Sequence, residues 1–396
     1  MDKVVATYYF RAKSAVKPEK AARAICKDVT TGIWMDRSSG AESGEWPEGS
    51  VEAILPSRNG YIARIAFPSI IFERGNIPQY LSVIAGSLFE LDCLESIRLM
   101  DIELCEELVP FHGPKFGVTG VRHLVGIVDR PLVGISIRPK IGLNPADTAE
   151  FVYKAAIGGV DVVTDSELLT NQESCPIEER VPLIADCLDD AKDITGQQVL
   201  YAANITSRAD QIVDKAICAI ELGANMIMVD VITAGFGALQ ALCEEPAIRV
   251  PIHSNLCMHA AMTANPEHGI SMLPFARLVR LLGADLFHIR VAGAKPGVDS
   301  SEQKGCINTL NSPAFGLKRT VPVLNGNIHP AIVEKEISVY GTDIILQSEN
   351  GIYCHPDGTV AGVRAMRQAV DAYMAGIALK EYAIEHFELD RALKTL

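Results

Sequence analysis

The sequence is short of positive charge: 36 Lys and Arg stand against 49 Asp and Glu, a net charge of −13 at pH 7. Nucleic acid and anionic membrane surfaces need clustered cations, so both are excluded as partners. No apolar run reaches the ~20 residues of a spanning helix. Met1-Asp2-Lys3 leads into a strand-like segment rather than a signal peptide. The ten cysteines never form a CxxC pair. That leaves neither a zinc pattern nor a disulfide frame, and points to reduced thiols in a cytoplasmic protein. Low-complexity segments and short repeats are also missing. What is there is 48% hydrophobic residues in a chain of 396, enough for a large core and more than one domain.

The amino-terminal third predicts a small α+β domain. Strands are expected at Val4–Phe10, Val51–Leu55, Tyr61–Phe67 and Ser96–Glu103, with helices at Pro18–Lys27 and Ile77–Leu88. Their order, βαββαβ, is a split βαβ, or ferredoxin-like, layout. The Ser38–Gly49 stretch, rich in Ser, Gly and Glu, reads as a mobile loop. Three regions follow from this reading: 1–125 as the ferredoxin-like domain, 126–377 as a barrel, and 378–396 as a helical tail.

Residues 132–167 show the barrel pattern most plainly. The apolar run Leu132–Ile137 ends in Arg138-Pro139-Lys140. Asn144 and Pro145 read as N-cap and first helical residue, and Gly158-Gly159 stop the helix. A second run, Val160–Val163, ends in Thr164-Asp165-Ser166-Glu167. Six more apolar runs follow, near 198–204, 225–230, 250–254, 285–289, 321–325 and 343–347, alternating with helical patterns. Eight βα units in ~250 residues make a TIM (β/α)8 barrel, whose chemistry sits at the carboxyl ends of its strands. Every run here ends in polar residues: Asn204 and Thr206, Asp230 and Thr233, His253 to Asn255, His288 and Arg290, Asn325 to His329, and Gln347 to Asn350 complete the set.

A lysine beside an arginine has a chemical use. The neighbouring cation disfavours the ammonium form, so Lys140 next to Arg138 could act as a base near neutral pH. Proton abstraction beside a carbonyl also needs a stabiliser for the enolate oxygen. Arg138, Lys295, or a metal held by Asp165 or Glu167 could supply it. His288 could move a proton or fix a substrate hydroxyl. Gly293-Ala294-Lys295-Pro296-Gly297 reads as a mobile loop able to carry Lys295 over a ligand. Against these stand plainer readings: Lys140 as a surface ion pair, Lys295 as a solvated loop charge, and His253 and His288 as satisfied core histidines.

Several stretches together resemble the large chain of ribulose-bisphosphate carboxylase (RuBisCO), and in particular the RuBisCO-like proteins. They are Thr30-Thr31-Gly32-Ile33-Trp34, Gly113-Pro114-Lys115-Phe116-Gly117, Ile137 to Leu143, Gly158 to Asp161, Asn204-Ile205-Thr206, Asn325 to Pro330 and His355-Pro356. The resemblance implies a ferredoxin-like domain followed by an α/β barrel. It also implies a homodimer or dimer-based oligomer in which amino-terminal residues complete the partner's site. In the carboxylases the second strand ends with a lysine that becomes a carbamate, followed by acidic magnesium ligands. Here Thr164 takes the lysine position and Ser166 a ligand position, leaving Glu167, with Asp165 alongside. The resemblance therefore implies loss of the carbamate route and puts a Mg²⁺ site at Asp165, Ser166 and Glu167 in question.

Lys140 and His288 match family active-site residues, Arg138 replaces one, and Lys295 aligns with the mobile-loop lysine. Leu256, after Asn255, stands at a phosphate-binding arginine position. Asn325, Gly326 and Asn327, then Glu349 and Asn350, replace small and Gly-rich phosphate cradles. A carboxylate at Glu349 would repel a phosphate dianion, whereas amide side chains suit sugar hydroxyls. Trp34, Asn255, Arg290, Asn325, Gly326, Asn327, Glu349 and Asn350 are the expected substrate contacts. The expected function is enolisation, of isomerase or enolase type, on a small keto-sugar or sugar-acid derivative, without CO2 fixation. The alternatives are a decarboxylase or C–C hydrolase of a 3-oxo sugar acid or its phosphate, and a non-catalytic ligand-binding barrel.

Overall fold

The computed structural model describes residues 3–30, 47–291 and 300–395. The Ser38–Gly49 and Gly293–Gly297 loops, with Trp34 and Lys295, lie wholly or largely outside them.

The chain opens with β1 (Lys3–Ala12), α1 (Pro18–Val29), β2 (Ser50–Ser57), β3 (Gly60–Pro68), α2 (Ile77–Ala85) and β4 (Leu94–Glu103). Next come α3 (Gly117–Val125), β5 (Leu132–Ser136), α4 (Pro145–Gly158), β6 (Val162–Thr164), α5 (Ile177–Thr195), β7 (Leu200–Asn204) and α6 (Ile212–Glu221). They lead to β8 (Met226–Asp230), α7 (Val231–Ala234), α8 (Phe236–Glu244), β9 (Ile252–Asn255), α9 (Ala260–Thr263), β10 (Gly269–Ile270) and α10 (Met272–Leu282). The chain continues with β11 (Leu286–Arg290), α11 (Ser300–Asn311), β12 (Val321–Asn325), α12 (Val333–Tyr340), β13 (Ile345–Gln347) and α13 (Asn350–Tyr353). It closes with α14 (Gly358–Met374), α15 (Leu379–Tyr382) and α16 (Phe387–Thr395).

Two compact units result, residues 1–112 with 258–281, and residues 113–257 with 282–396. In the first, β1 pairs antiparallel with β3 and β4, and the sheet order is β10-β4-β1-β3-β2. Val4, Ala6, Tyr8 and Phe10 alternate along β1 and bury one face, the period-2 pattern of a half-buried strand. The short β10 adds a parallel edge to β4, with Gly269 opposite Arg98. Arg277 clamps Asp101 at 2.6 and 2.9 Å, and Arg11 reaches Glu267 at 2.9 Å. Residues 258–281 thus belong to this unit, and the β10–β4 pairing has no local signal in the sequence.

The second unit is a closed parallel barrel of eight strands in the order β11-β12-β13-β5-β6-β7-β8-β9. Leu132, Val162, Leu200, Met226, Leu286, Val321 and Ile345, near the strands' amino ends, form one buried cluster with Val118, Val121 and Val125 of α3. Each such side chain contributes about 1.5–3 kcal/mol by leaving water. Asp285 accepts the amides of Phe116 and Gly117 at 2.7 and 2.8 Å, which pins α3 in place. With that end plugged, the carboxyl end is the open mouth.

Local signals hold where capping is concerned. Asn144 Oδ1 accepts from the Asp147 amide at 2.9 Å, Pro145 opens α4, and Gly159 ends it with φ +95°. Several strands begin one or two residues later than the apolar runs suggest. A buried aspartate stands just before β6 and just before β11. Asp161 accepts the Val133 amide at 2.8 Å, and Asp285 that of Ile252 at 2.9 Å. Side-chain bonds there help hold the neighbouring backbone. The tail turns back on α14, where Gln368 bonds Glu388 at 2.8 Å. Among the described residues no helix is long and apolar enough to cross a membrane.

Candidate active site

Two groups of polar side chains stand at the carboxyl end of the barrel. The first joins strands that are distant in sequence but adjacent in the closed sheet. Arg138, two residues beyond β5, pairs with Glu349, two residues beyond β13, and lies 3.9 Å from Glu167, which follows β6. Lys140 pairs with Glu167 as well. The four charges cancel. This changes two expectations. Lys140 is not a lone amine, because its nitrogen is held by a carboxylate. Glu349 is not a bare negative charge, because a guanidinium covers it. Burial pushes the Glu167 carboxyl up, but the bond from Lys140, its own backbone amide and the charges of Lys140 and Arg138 bring it below the usual carboxylate range.

Beneath this cluster lies an uncharged triad. Thr164 Oγ1 lies 2.9 Å from Ser136 Oγ, and Gln347 Nε2 donates to Ser136 Oγ at 2.9 Å and reaches Thr164 at 3.4 Å. Sequence reasoning named Thr164 and Gln347 singly but neither Ser136 nor the link between the three, since each alone is an ordinary core polar residue. Gly351, at the start of α13, leaves room for the segment after β12: a Cβ there would stand 2.6 Å from the Ile328 carbonyl oxygen and 2.7 Å from the His329 Cα. Gly351→Ala is expected to cost about 1–3 kcal/mol by overpacking against backbone, read as a lower urea midpoint. An unchanged midpoint would show that the two segments move apart freely.

The second group runs across β8, β9 and β11. Asp230 Oδ1 accepts from Asn255 Nδ2 at 2.6 Å and from the Cys257 amide at 3.4 Å. Asn255 Oδ1 lies 2.5 Å from His288 Nδ1. Behind them His253 meets the His288 ring edge-on at 5.5 Å, and burial, then the neighbouring His288, pushes its pKa well down. Asn204 ties the two groups together. Its amide donates to the Ser166 and Glu167 carbonyls at 3.1 and 3.3 Å, and its oxygen accepts from Thr206 Oγ1 at 2.7 Å. Thr206 Oγ1 in turn accepts the Asp230 amide at 2.9 Å. Sequence reasoning placed Asp230 and Asn204 at strand ends and gave neither the hydrogen-bonding part seen here. The signal available was only an acidic or amide residue closing an apolar run.

Arg290 ends β11 on the same face as His288, by the strand's period of two, and pairs in register with Asn325. Among the described residues no ion pair engages it. Gly326 and Asn327 follow with φ of +106° and +56°, the left-handed region, and Asn327 and Asn350 are exposed.

The donor set at the second strand does not fit Mg²⁺, which takes several hard oxygens in near-octahedral array. Asp165 is fully buried, and its oxygens are taken by Tyr201 Oη at 2.9 Å, Arg180 at 3.0 Å and the Asn204 backbone N–H at 2.9 Å. It is therefore withdrawn as a metal ligand. Ser166 Oγ accepts the Leu168 amide at 3.2 Å. Glu167 already faces two cations. Among the described residues no group of three or more His, Cys, Asp or Glu is placed to hold a metal ion.

Residues 1–108 match the amino-terminal domain, and residues 117–396 the catalytic domain, of the ribulose bisphosphate carboxylase large chain. The ribulose bisphosphate carboxylase of Pyrococcus furiosus is 35% identical over 99% of this chain and 94% of its own. The octameric Rubisco structure from Pyrococcus horikoshii matches at 34% identity with a TM-score of 0.93, covering 99% of this chain and 93% of that one. A rubisco-like protein from Burkholderia fungorum matches at 26% identity and a TM-score of 0.89, over the whole of both chains. Fold and sequence agree that this chain belongs to the ribulose bisphosphate carboxylase large-chain family.

Proposed function

We propose that this chain is an enzyme of the RuBisCO family that does not fix CO2, and that it enolises a small keto-sugar or sugar-acid derivative as an isomerase. The observation that carries this reading is the pairing of Glu167 with Lys140 and Arg138, above a threonine that cannot form a carbamate. The cations at this point are the side chains of Lys140 and Arg138, each paired with a carboxylate. In this reading the ammonium of Lys140 would stabilise the developing enolate oxygen, and a preorganised donor of that kind is worth about 10²–10³ in rate. Lys140, expected from its neighbours to be a base, is given the electrophile's part in this reading, because its nitrogen already sits on a carboxylate. Proton removal passes to His288. Arg290 holds a carboxylate or single phosphate, and Asn325, Asn327 and Asn350 offer amides to hydroxyls. Lys295 and Trp34 complete the proposed set from the sequence alone. The Pyrococcus horikoshii relative is octameric, and a dimer-based oligomer is proposed here as well.

A second reading, decarboxylation or C–C hydrolysis of a 3-oxo sugar acid, reaches the same enolate by bond cleavage. Arg290, without an ion-pair partner among the described residues, favours such an acidic substrate.

The test is exchange of solvent deuterium into a panel of keto acids and keto sugars, followed by NMR. Exchange is expected to survive EDTA and to fall about 10²–10³-fold in Lys140→Met. Exchange that needs added Mg²⁺, or that Lys140→Met leaves intact, would overturn this assignment. Ligand-induced thermal shifts with no exchange for any compound would point to a binding barrel.

A further inference from the structure

We infer that Asp230 and Asn255 are positioning residues that hold His288 in its Nδ1–H tautomer, so that Nε2 is the nitrogen able to take a proton. This rests on the enolisation reading for its purpose, but not for its geometry. A carboxylate only accepts hydrogen bonds. Asp230 Oδ1, 2.6 Å from the Asn255 side chain, therefore fixes which end of that amide faces it: the NH2 group. The other end, Oδ1, is left facing His288 Nδ1 at 2.5 Å. A carbonyl oxygen cannot donate, so Nδ1 carries the hydrogen and the lone pair of the neutral imidazole is on Nε2. The Cys257 amide gives Asp230 a second donor at 3.4 Å. Thr206 Oγ1 accepts the Asp230 backbone amide at 2.9 Å and steadies the end of β8.

Burial pushes the Asp230 carboxyl up, the bonds from Asn255 and Cys257 oppose it, and the charge of Glu167 adds to it, leaving it at about 6. Above that pH the acceptor-only form prevails. His253, kept uncharged by burial, sets no second cation against the ring.

In the enolisation step the substrate C–H bond breaks and its hydrogen bonds to Nε2 as a proton. The bonding pair becomes the new C=C bond while the carbonyl π pair moves to oxygen. Return of the proton from the imidazolium to the neighbouring carbon restores the neutral ring. The Nε2–H tautomer could not perform the first half of this exchange, since its lone pair would face Asn255.

The test reads the tautomer directly, in the full-length protein and without substrate. Long-range ¹H–¹⁵N NMR on histidine-labelled protein above pH 7, with His288→Asn for assignment, is expected to show His288 with a pyrrole-like Nδ1 and a pyridine-like Nε2. In Asp230→Asn the facing amide can donate to Asn255, letting it turn its NH2 towards His288. The pattern is then expected to mix or invert, and deuterium exchange to fall by up to about 10⁴-fold, the scale of a wrong tautomer. A pyridine-like Nδ1 in the wild type overturns the inference without any variant. So does an unchanged pattern in a folded Asp230→Asn protein. If the tautomer is as stated but no compound exchanges, the enolisation reading fails and the positioning stands.

Discussion

His288→Asn is expected to lower deuterium exchange by about 10²–10⁴-fold, the usual contribution of a positioned general base. Asparagine keeps a polar side chain of similar reach, so the hydrogen bond to Asn255 has a replacement and melting should match the wild type. What it lacks is a nitrogen lone pair basic enough to take a proton from carbon. Together with Lys140→Met, this separates the two halves of the mouth. Loss of His288 removes the proton acceptor, and loss of Lys140 removes charge from beside the enolate oxygen. Because both act in one transition state, the double variant should lose much less than the product of the two single losses. If His288→Asn exchanges at the wild-type rate, the proton is moved by another group and the role given to the Asp230–Asn255–His288 series is wrong.

Arg180→Met is expected to cost about 3–5 kcal/mol of stability, the cost of leaving a buried charge without its partner. Neither Arg180 nor Asp165 has any exposed side chain, and they meet at 3.0 Å. The guanidinium also donates to the Thr170 and Cys175 carbonyls at 3.0 and 2.5 Å, and to Tyr201 Oη at 3.2 Å. Removing it strands a carboxylate and two carbonyls together. Urea unfolding would show the midpoint falling with little change in slope. The double variant Arg180→Met with Asp165→Leu should regain part of the loss, because an apolar pair of suitable volume needs no compensation. A drop below about 1 kcal/mol would mean that water reaches this pair, and would reopen Asp165 as a ligand.

Much of the fold could be read from local pattern. The runs that became β5 to β9 and β11 to β13 are apolar because a barrel strand is covered on both faces, and Asn144, Pro145 and Gly159 mark helix ends by their own chemistry. Strand starts were less clear: β6, β7, β9 and β13 each begin two residues inside the apolar run, because an apolar run does not mark where ladder pairing starts. The edge strand Gly269–Ile270 was invisible: its pairing partner lies some 170 residues away.

The sequence by itself determined the family, the eight-stranded barrel, and the list of polar residues at its mouth. Those follow from periodicity and from residue types that each strand end carries alone. Tertiary structure decided which of those residues are available. Closure of the sheet sets β13 beside β5, and only then does Glu349 cover Arg138 while Glu167 takes Lys140. The same packing spends Asp165 on Arg180 and lines Asp230, Asn255 and His288 in series. A side chain's charge is a property of its residue. Whether that charge is open to a ligand depends on partners that come together only when distant strands pair.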